Sequence, residues 1–339
     1  LGFHLMNSFR SLLKNSVELI EYENNVRSHS KIRTILDKGT KSFFNKEIKS
    51  LSVTASANTN LCKMAAREHF DLILVAKGMY LDRKTLERVR SISPRSLIYN
   101  YYADNILLNY TVMNTLDLYD RIFLIDEYVK DTLDALCLNT KFSLLYPSAD
   151  PQRFLQPKIP VGENRFSYDV SLIGSLYPYR SYMLEGLHEY DLKIWGGEWV
   201  FFDSMKVIDK WRPYHTKQHA HAKTRAEVFY RSKINVNTKQ PVELISGCNT
   251  RMQHILAHKG FQIVQYSQDL EKLYSLDKEI VAFTDRNDLL DKVKFYIAQD
   301  DLREEIVENG YKRLLEQHST MQRCKKILEY YDYDCTHKN

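Results

Sequence analysis

The chain has 339 residues, 44% of them hydrophobic and 27% charged, with a formal net charge of +5. That length can bury two cores of ordinary domain size, and no run approaches the roughly 18 apolar residues of a membrane span. The small positive charge permits an anionic partner but does not announce nucleic-acid binding. No basic, apolar leader is read at the start, and the five cysteines, Cys62, Cys137, Cys248, Cys324 and Cys335, contain no C-x-x-C pair. A cytoplasmic chain with reduced thiols is expected.

Short apolar runs alternate with amphipathic stretches, the pattern of α/β domains with parallel sheets. In chain order, a helix at Met6–Lys14 leads into a strand at Val17–Tyr22, so the usual first strand is expected to be missing or truncated. Strands follow at Phe70–Val75, Ser96–Tyr101, Arg121–Ile125 and Phe142–Leu145, with helices at Leu81–Ser91 and Glu127–Leu136. Pro147, Pro151, Pro157 and Pro160 mark a linker, which divides an N-terminal domain at 1–150 from a C-terminal one at 160–315. The second half repeats the scheme with strands at Tyr168–Ile173, Leu192–Trp195, Ile234–Asn237, Phe261–Val264 and Ile280–Phe283. Gly310 reads as a stop between two C-terminal helices, and residues 316–339 as a helix crossing back to the N-terminal domain.

The most informative stretch is Ile234-Asn-Val-Asn237 followed by Ser246-Gly-Cys-Asn-Thr-Arg251-Met-Gln-His254. It reads as a strand, a turn bearing Gly247, and a helix with Asn249 and Arg251 at its entrance. A helix N-terminus offers backbone N–H groups and a partial positive charge, so a guanidinium beside it makes a diphosphate site. Gly174-Ser175 after the strand ending at Ile173, with Arg180 close behind, is a second place where backbone and a forked donor can approach a phosphate. Lys233 is a further candidate cation. Arg251 paired with Glu243 on the surface, and a plain turn at Gly174-Ser175, are the competing structural readings.

Several blocks in order resemble the CgeB-like glycosyltransferases, relatives of the group 1 glycosyltransferases. They are Phe70-Asp-Leu-Ile-Leu-Val-Ala-Lys77, Tyr101-Tyr-Ala-Asp-Asn105, Tyr119-Asp-Arg-Ile-Phe-Leu-Ile-Asp126 and Leu145-Tyr-Pro-Ser-Ala-Asp150. They continue with Asp169-Val-Ser-Leu-Ile-Gly-Ser-Leu-Tyr-Pro-Tyr-Arg180, Ile194-Trp-Gly-Gly-Glu-Trp199 and the segment from Lys233 through Phe261. The resemblance spans about residues 65–325 and implies a GT-B fold: two Rossmann-like domains with parallel sheets facing an interdomain cleft. It implies that the C-terminal domain holds a nucleoside-diphosphate sugar, here expected through Gly174, Ser175, Arg180, Gly247, Asn249, Arg251 and the position of His254; Lys233, before the strand at Ile234, is either a second cation there or a solvated lysine. A hydroxyl acceptor, whether glycan, protein or nucleic-acid base, would approach from the N-terminal side. It implies retention of anomeric configuration and no obligatory cofactor or metal.

At His254 the chain departs from that family, where a glutamate binds the ribose hydroxyls of the donor; Ser246 falls where the wider clan has its other glutamate. A neutral imidazole accepts one hydrogen bond where a carboxylate offers two charged oxygens, so ordinary donor recognition is less expected than the fold. A noncatalytic GT-B module in a larger assembly is therefore a rival reading. Asp104 is the candidate acceptor-side or catalytic carboxylate, whereas helix capping accounts for Asp126. His215, His219 and His221 lie in a basic stretch with Lys206, Lys210, Arg212, Lys217, Lys223 and Arg225. A solvated loop is its simplest reading; contact with the phosphates of nucleic acid, in an enzyme that glycosylates modified bases, is the alternative. Asp332-Tyr-Asp334 matches a metal-clamp pattern only superficially, in what reads as a frayed terminus.

Overall fold

The computed structural model describes residues 2–13, 58–151, 157, 159, 164–196, 210–216, 218 and 220–337. They form two compact units. Residues 1–145 and 324–339 make the first, and residues 146–323 the second. The expected strand at Val17–Tyr22 lies outside the described residues.

The first unit holds a four-stranded parallel sheet in the order β1-β2-β3-β4: Leu72–Ala76, Leu97–Tyr102, Arg121–Leu124 and Lys141–Leu144. Every residue of β2 and β3 is buried, as a parallel sheet covered on both faces requires. Side chains alternate along each strand. Ile98, Tyr102, Ile122, Leu124 and Phe142 enter one core with Leu86, Val89, Val129 and Leu133 from the helices Arg83–Ile92 and Glu127–Asp134. Tyr99 and Phe123 turn to the opposite face, where Phe123 meets Tyr330 with ring centroids 5.4 Å apart.

Tyr330 belongs to the helix Thr320–Thr336, which carries the chain back onto this unit. The expected fraying at its end is not what the structure shows. Asp334 is buried, accepting two hydrogen bonds from Arg121 at 2.7 and 2.8 Å and one each from Lys141 at 2.7 Å and Tyr99 at 2.5 Å. A carboxylate with that many donors has no spare valence for a metal, so the D-x-D pattern is structural. Asp126 likewise takes the Val129 N–H as the N-cap of its helix.

The second unit has a five-stranded parallel sheet in the order β6-β5-β7-β8-β9: Leu192–Trp195, Tyr168–Ile173, Ser232–Asn237, Gln262–Gln265 and Val281–Phe283. Val170, Leu172, Ile234, Val236, Ile263, Val281 and Phe283 form its main core with the helix Arg286–Tyr296 and with Trp211. Gly310 does not end a helix. It lies inside Asp300–Arg313, where an added Cβ would stand 2.3 Å from the Glu279 carbonyl oxygen. Glycine is there for close approach of backbone, and the break comes later, at the π-helical turn Leu314–His318.

Candidate functional site

In the second sheet the chain leaves β5 toward β6 on one side, and β7 leads to β8 and β9 on the other. A parallel sheet whose strand order reverses opens a crevice at the carboxyl ends of the two central strands. The segments after β5 and β7 build the site there.

Gly174 ends β5 at a φ of +149°, a conformation favoured by glycine. A Cβ at this point would lie 2.7 Å from Arg251 Nη2 and 3.0 Å from Arg180 Nη1, so both guanidiniums reach the same spot of bare backbone. Gly196, after β6, packs as tightly, with its would-be Cβ 2.6 Å from the Gly174 carbonyl oxygen.

Arg180 rides on the short helix Pro178–Met183 and is buried. Its Nε donates to Thr238 Oγ1 at 2.6 Å, Nη2 to the Thr238 carbonyl at 3.4 Å, and Nη1 to the Ser175 carbonyl. The Tyr177 ring lies 5.4 Å from its guanidinium carbon. Arg251 is the second residue of the helix Thr250–Ala257. Asn249 caps this helix by accepting from the Met252 N–H at 3.1 Å, and Gly247 lies buried in the loop before it. Arg251 Nη1 donates to Asn237 Oδ1 at 3.1 Å and to the Thr238 carbonyl at 3.3 Å. Asn237 Oδ1 also accepts from Asn249 Nδ2 at 2.9 Å, so one carboxamide fixes both the cap and the arginine.

The electrostatics of this cluster are unusual. Among the described residues, no carboxylate forms an ion pair with either guanidinium, and Glu243, the partner of Arg251 in the competing reading, is exposed in the intervening loop. Burial pulls Arg251 down to about 9, with the Arg180 charge adding to the effect, and burial alone pulls Arg180 down to about 10; Glu243 offsets part of each shift. Both remain cations at neutral pH. Two adjacent guanidiniums beside a helix N-terminus, neither in an ion pair among the described residues, have the chemistry to accept an anion with paired oxygens.

Of the residues singled out in the sequence, Gly174, Ser175, Arg180, Gly247, Asn249 and Arg251 are brought together. Lys233 is not. It stands at the amino end of β7, about 13 Å of strand from Asn237, and its ammonium binds Asp169 at 2.8 Å. His254 lies one turn beyond Arg251 on the same helix and is half-buried. Ser246 closes its own loop, donating to Asp269 Oδ2 at 3.2 Å while its carbonyl accepts the Asp269 N–H at 2.9 Å. Asp104 belongs to the first unit, after β2, and is ion-paired with Lys77 after β1.

In the basic stretch, His215 forms a parallel bridge with Ile194 and His221 precedes the helix Ala222–Arg231; Lys206, Lys217 and His219 lie outside the described residues. No group of three His, Cys, Asp or Glu side chains arranged to hold a metal occurs among the described residues. The sequence reading missed the roles of Asn237 and Thr238. A signal existed in Ile234-Asn-Val-Asn237, because two asparagines on one face of a buried strand must each find partners.

Known proteins share this architecture. The structure is similar to sucrose-phosphate synthase from Thermosynechococcus elongatus, with a TM-score of 0.63 at 10% identity over 97% of this chain and 91% of that one. It is also similar to a glycosyltransferase from Rickettsia africae ESF-5, with a TM-score of 0.62 at 11% identity over 99% and 94%. A third is Anabaena HepE in complex with UDP and glucose, with a TM-score of 0.59 at 10% identity over 90% of each chain. The chain has the GT-B fold. Residues 180–329 match a family described as glycosyl transferase-like, and that GT-B segment begins at Arg180 and contains Asn237, Thr238 and Arg251. No curated protein sequence matches the chain.

Proposed function

We propose that the protein is a GT-B glycosyltransferase that moves a sugar from a nucleoside diphosphate to a hydroxyl acceptor. The observation that carries this reading is the pair Arg180 and Arg251, held against Gly174 at the switch point, with no carboxylate among the described residues in an ion pair with either. The family match over 180–329 supports sugar transfer, and the ordered sequence blocks support the CgeB-like subtype. HepE, solved with UDP and with UDP and glucose, makes UDP the first nucleotide to test.

In the transfer, the bond between the anomeric carbon and the diphosphate oxygen breaks as the acceptor oxygen bonds to that carbon. The acceptor proton passes to a phosphate oxygen of the leaving group, which yields retention without a separate protein base. Negative charge grows on the diphosphate, and the two guanidiniums with the N–H groups at the start of Thr250–Ala257 stabilise it where it develops. The protein thus supplies the positive charge that would otherwise call for a metal. Asp104, which is ion-paired with Lys77, is the candidate carboxylate to orient an acceptor hydroxyl.

Titration calorimetry of the folded protein with UDP and then UDP-glucose tests the reading. Saturable 1:1 binding of a nucleoside diphosphate is expected. If the folded protein binds none from a panel of nucleoside diphosphates and their sugars, the noncatalytic alternative replaces this one.

A further inference from the structure

Two arginines of the first unit are fixed by carboxylates. Arg83 forks onto Asp117 at 2.6 and 2.8 Å, and Arg121 onto Asp334 at 2.7 and 2.8 Å. Such a pair fixes the guanidinium and consumes its charge. At the carboxyl end of β7 the arrangement differs. The acceptors of Arg180 and Arg251 are Thr238 Oγ1, the Thr238 and Ser175 carbonyls, and Asn237 Oδ1, all of them neutral.

Thr238 is the hub of this arrangement. Its carbonyl accepts from both arginines and its hydroxyl from Arg180, so one residue brings two like charges to one place. Asn237 adds a second tether to Arg251. Its own carboxamide is fixed from below, because Nδ2 donates to Gln262 Oε1 at 3.2 Å and Gln262 Nε2 donates to the Met252 carbonyl at 2.9 Å. Only Nη1 of Arg251 is engaged by these tethers. Among the described residues, its Nε and Nη2 edge, the fork suited to two oxygens of one phosphate, has no hydrogen-bond partner, and Nη2 lies at Gly174.

We propose that Thr238 and Asn237 are the positioning residues of the arginine pair, fixing both guanidiniums with neutral oxygens so that their charge remains available to a diphosphate. The proposal rests on the diphosphate reading of the same site. Three variants separate positioning from general support of the fold. Thr238→Val keeps shape and carbonyl but removes the hydroxyl, Thr238→Ser restores the hydroxyl, and Asn237→Asp replaces a neutral acceptor with a charged one.

UDP affinity by calorimetry is expected to fall about tenfold in Thr238→Val, the loss of a hydrogen bond to a charged group. It is expected to return to near the wild-type value in Thr238→Ser, and to fall again in Asn237→Asp although that variant stays folded. A second readout needs no nucleotide. In protein labelled with ¹⁵N-arginine, the Arg180 Nε–H signal should be protected from exchange in the wild type and Thr238→Ser, and lose protection in Thr238→Val. If Thr238→Val binds UDP as the wild type does and its Arg180 signal is unchanged, or if Thr238→Ser behaves like Thr238→Val, the positioning role is overturned. If the wild type binds no nucleoside diphosphate of the panel but the Arg180 signal responds as expected, the positioning role stands and the diphosphate reading falls.

Discussion

Arg251 carries the sharpest consequences at the scale of the residue. It shares its surroundings with another cation and has only neutral acceptors, so the folded protein gains little from its charge. Arg251→Ala should therefore weaken UDP binding by about 2–3 kcal/mol, the value of charge-assisted hydrogen bonds, without lowering the thermal midpoint. Calorimetry and thermal melts on the same sample check both halves, and a large drop in melting temperature would mark the arginine as structural. Arg251→Lys should recover only part of the affinity, because an ammonium is a point charge without the fork. Gly174→Ala tests the same spot from the backbone side. It forces a side chain into the +149° region and against Arg251 Nη2, so both stability and UDP affinity should fall. The sequence made Arg180, Arg251 and Gly174 legible because each follows a strand or opens a helix, which is a local signal. Thr238 and Lys233 were not legible in the same way. Thr238 acts on a partner 58 residues away, and Lys233 was misplaced because a parallel strand has two ends and only one faces the crevice.

At the scale of the element, strand positions were readable because parallel strands buried on both faces appear as short continuous apolar runs between turns. β5 and β6 have the expected limits, and the other described strands differ from theirs by a residue or two. The C-terminal helix was harder to read, since its charged composition hides the face that matters. Asp334 is buried on β2, β3 and β4 through Tyr99, Arg121 and Lys141. Burial pushes its carboxyl upward, but the hydrogen bonds from those three residues outweigh that and hold it at about 2. Asp334→Asn would leave the Arg121 guanidinium buried without its counter-charge, a loss of about 3–5 kcal/mol for a broken buried pair. Urea unfolding of the variant should show that drop, and a change within experimental error would mean that the ring contacts with Tyr330 hold the helix alone. Gly310→Ala sets two element-level effects against each other. Alanine improves helix propensity by about 1 kcal/mol, yet its methyl meets backbone at Glu279, which cannot rotate away. Net destabilisation is expected, and an increased urea midpoint would contradict the close-approach account.

At the scale of the whole molecule, the two units differ in how they meet acid. The second contains two buried histidines held neutral. Burial and the nearby Arg225 bring His258 down to about 4, and burial and Arg323 do the same for His318, whose Nε2 bonds the Leu273 carbonyl at 2.9 Å while Nδ1 faces Arg323 Nη2 at the same distance. Unfolded, both histidines would titrate near 6.5, so between about pH 6.5 and 4 the unfolded state binds more protons than the folded one. Stability is then lost as pH falls through that window, by up to about 3 kcal/mol for each histidine. Asp334 in the first unit has the same sign in a lower window. Its depressed carboxyl adds stability that is complete above the ordinary carboxylate value near 3.8 and is lost only as pH falls toward about 2. Acid should therefore weaken the second unit before the first. All three tryptophans, Trp195, Trp199 and Trp211, lie within residues 146–323, so indole emission follows that unit alone. The urea midpoint read by tryptophan emission should drop between pH 7 and pH 5, and His258→Phe combined with His318→Gln should flatten the dependence. If the double variant keeps the full pH dependence, the two histidines are not its source, and the acid sensitivity of the second unit must come from groups outside its core.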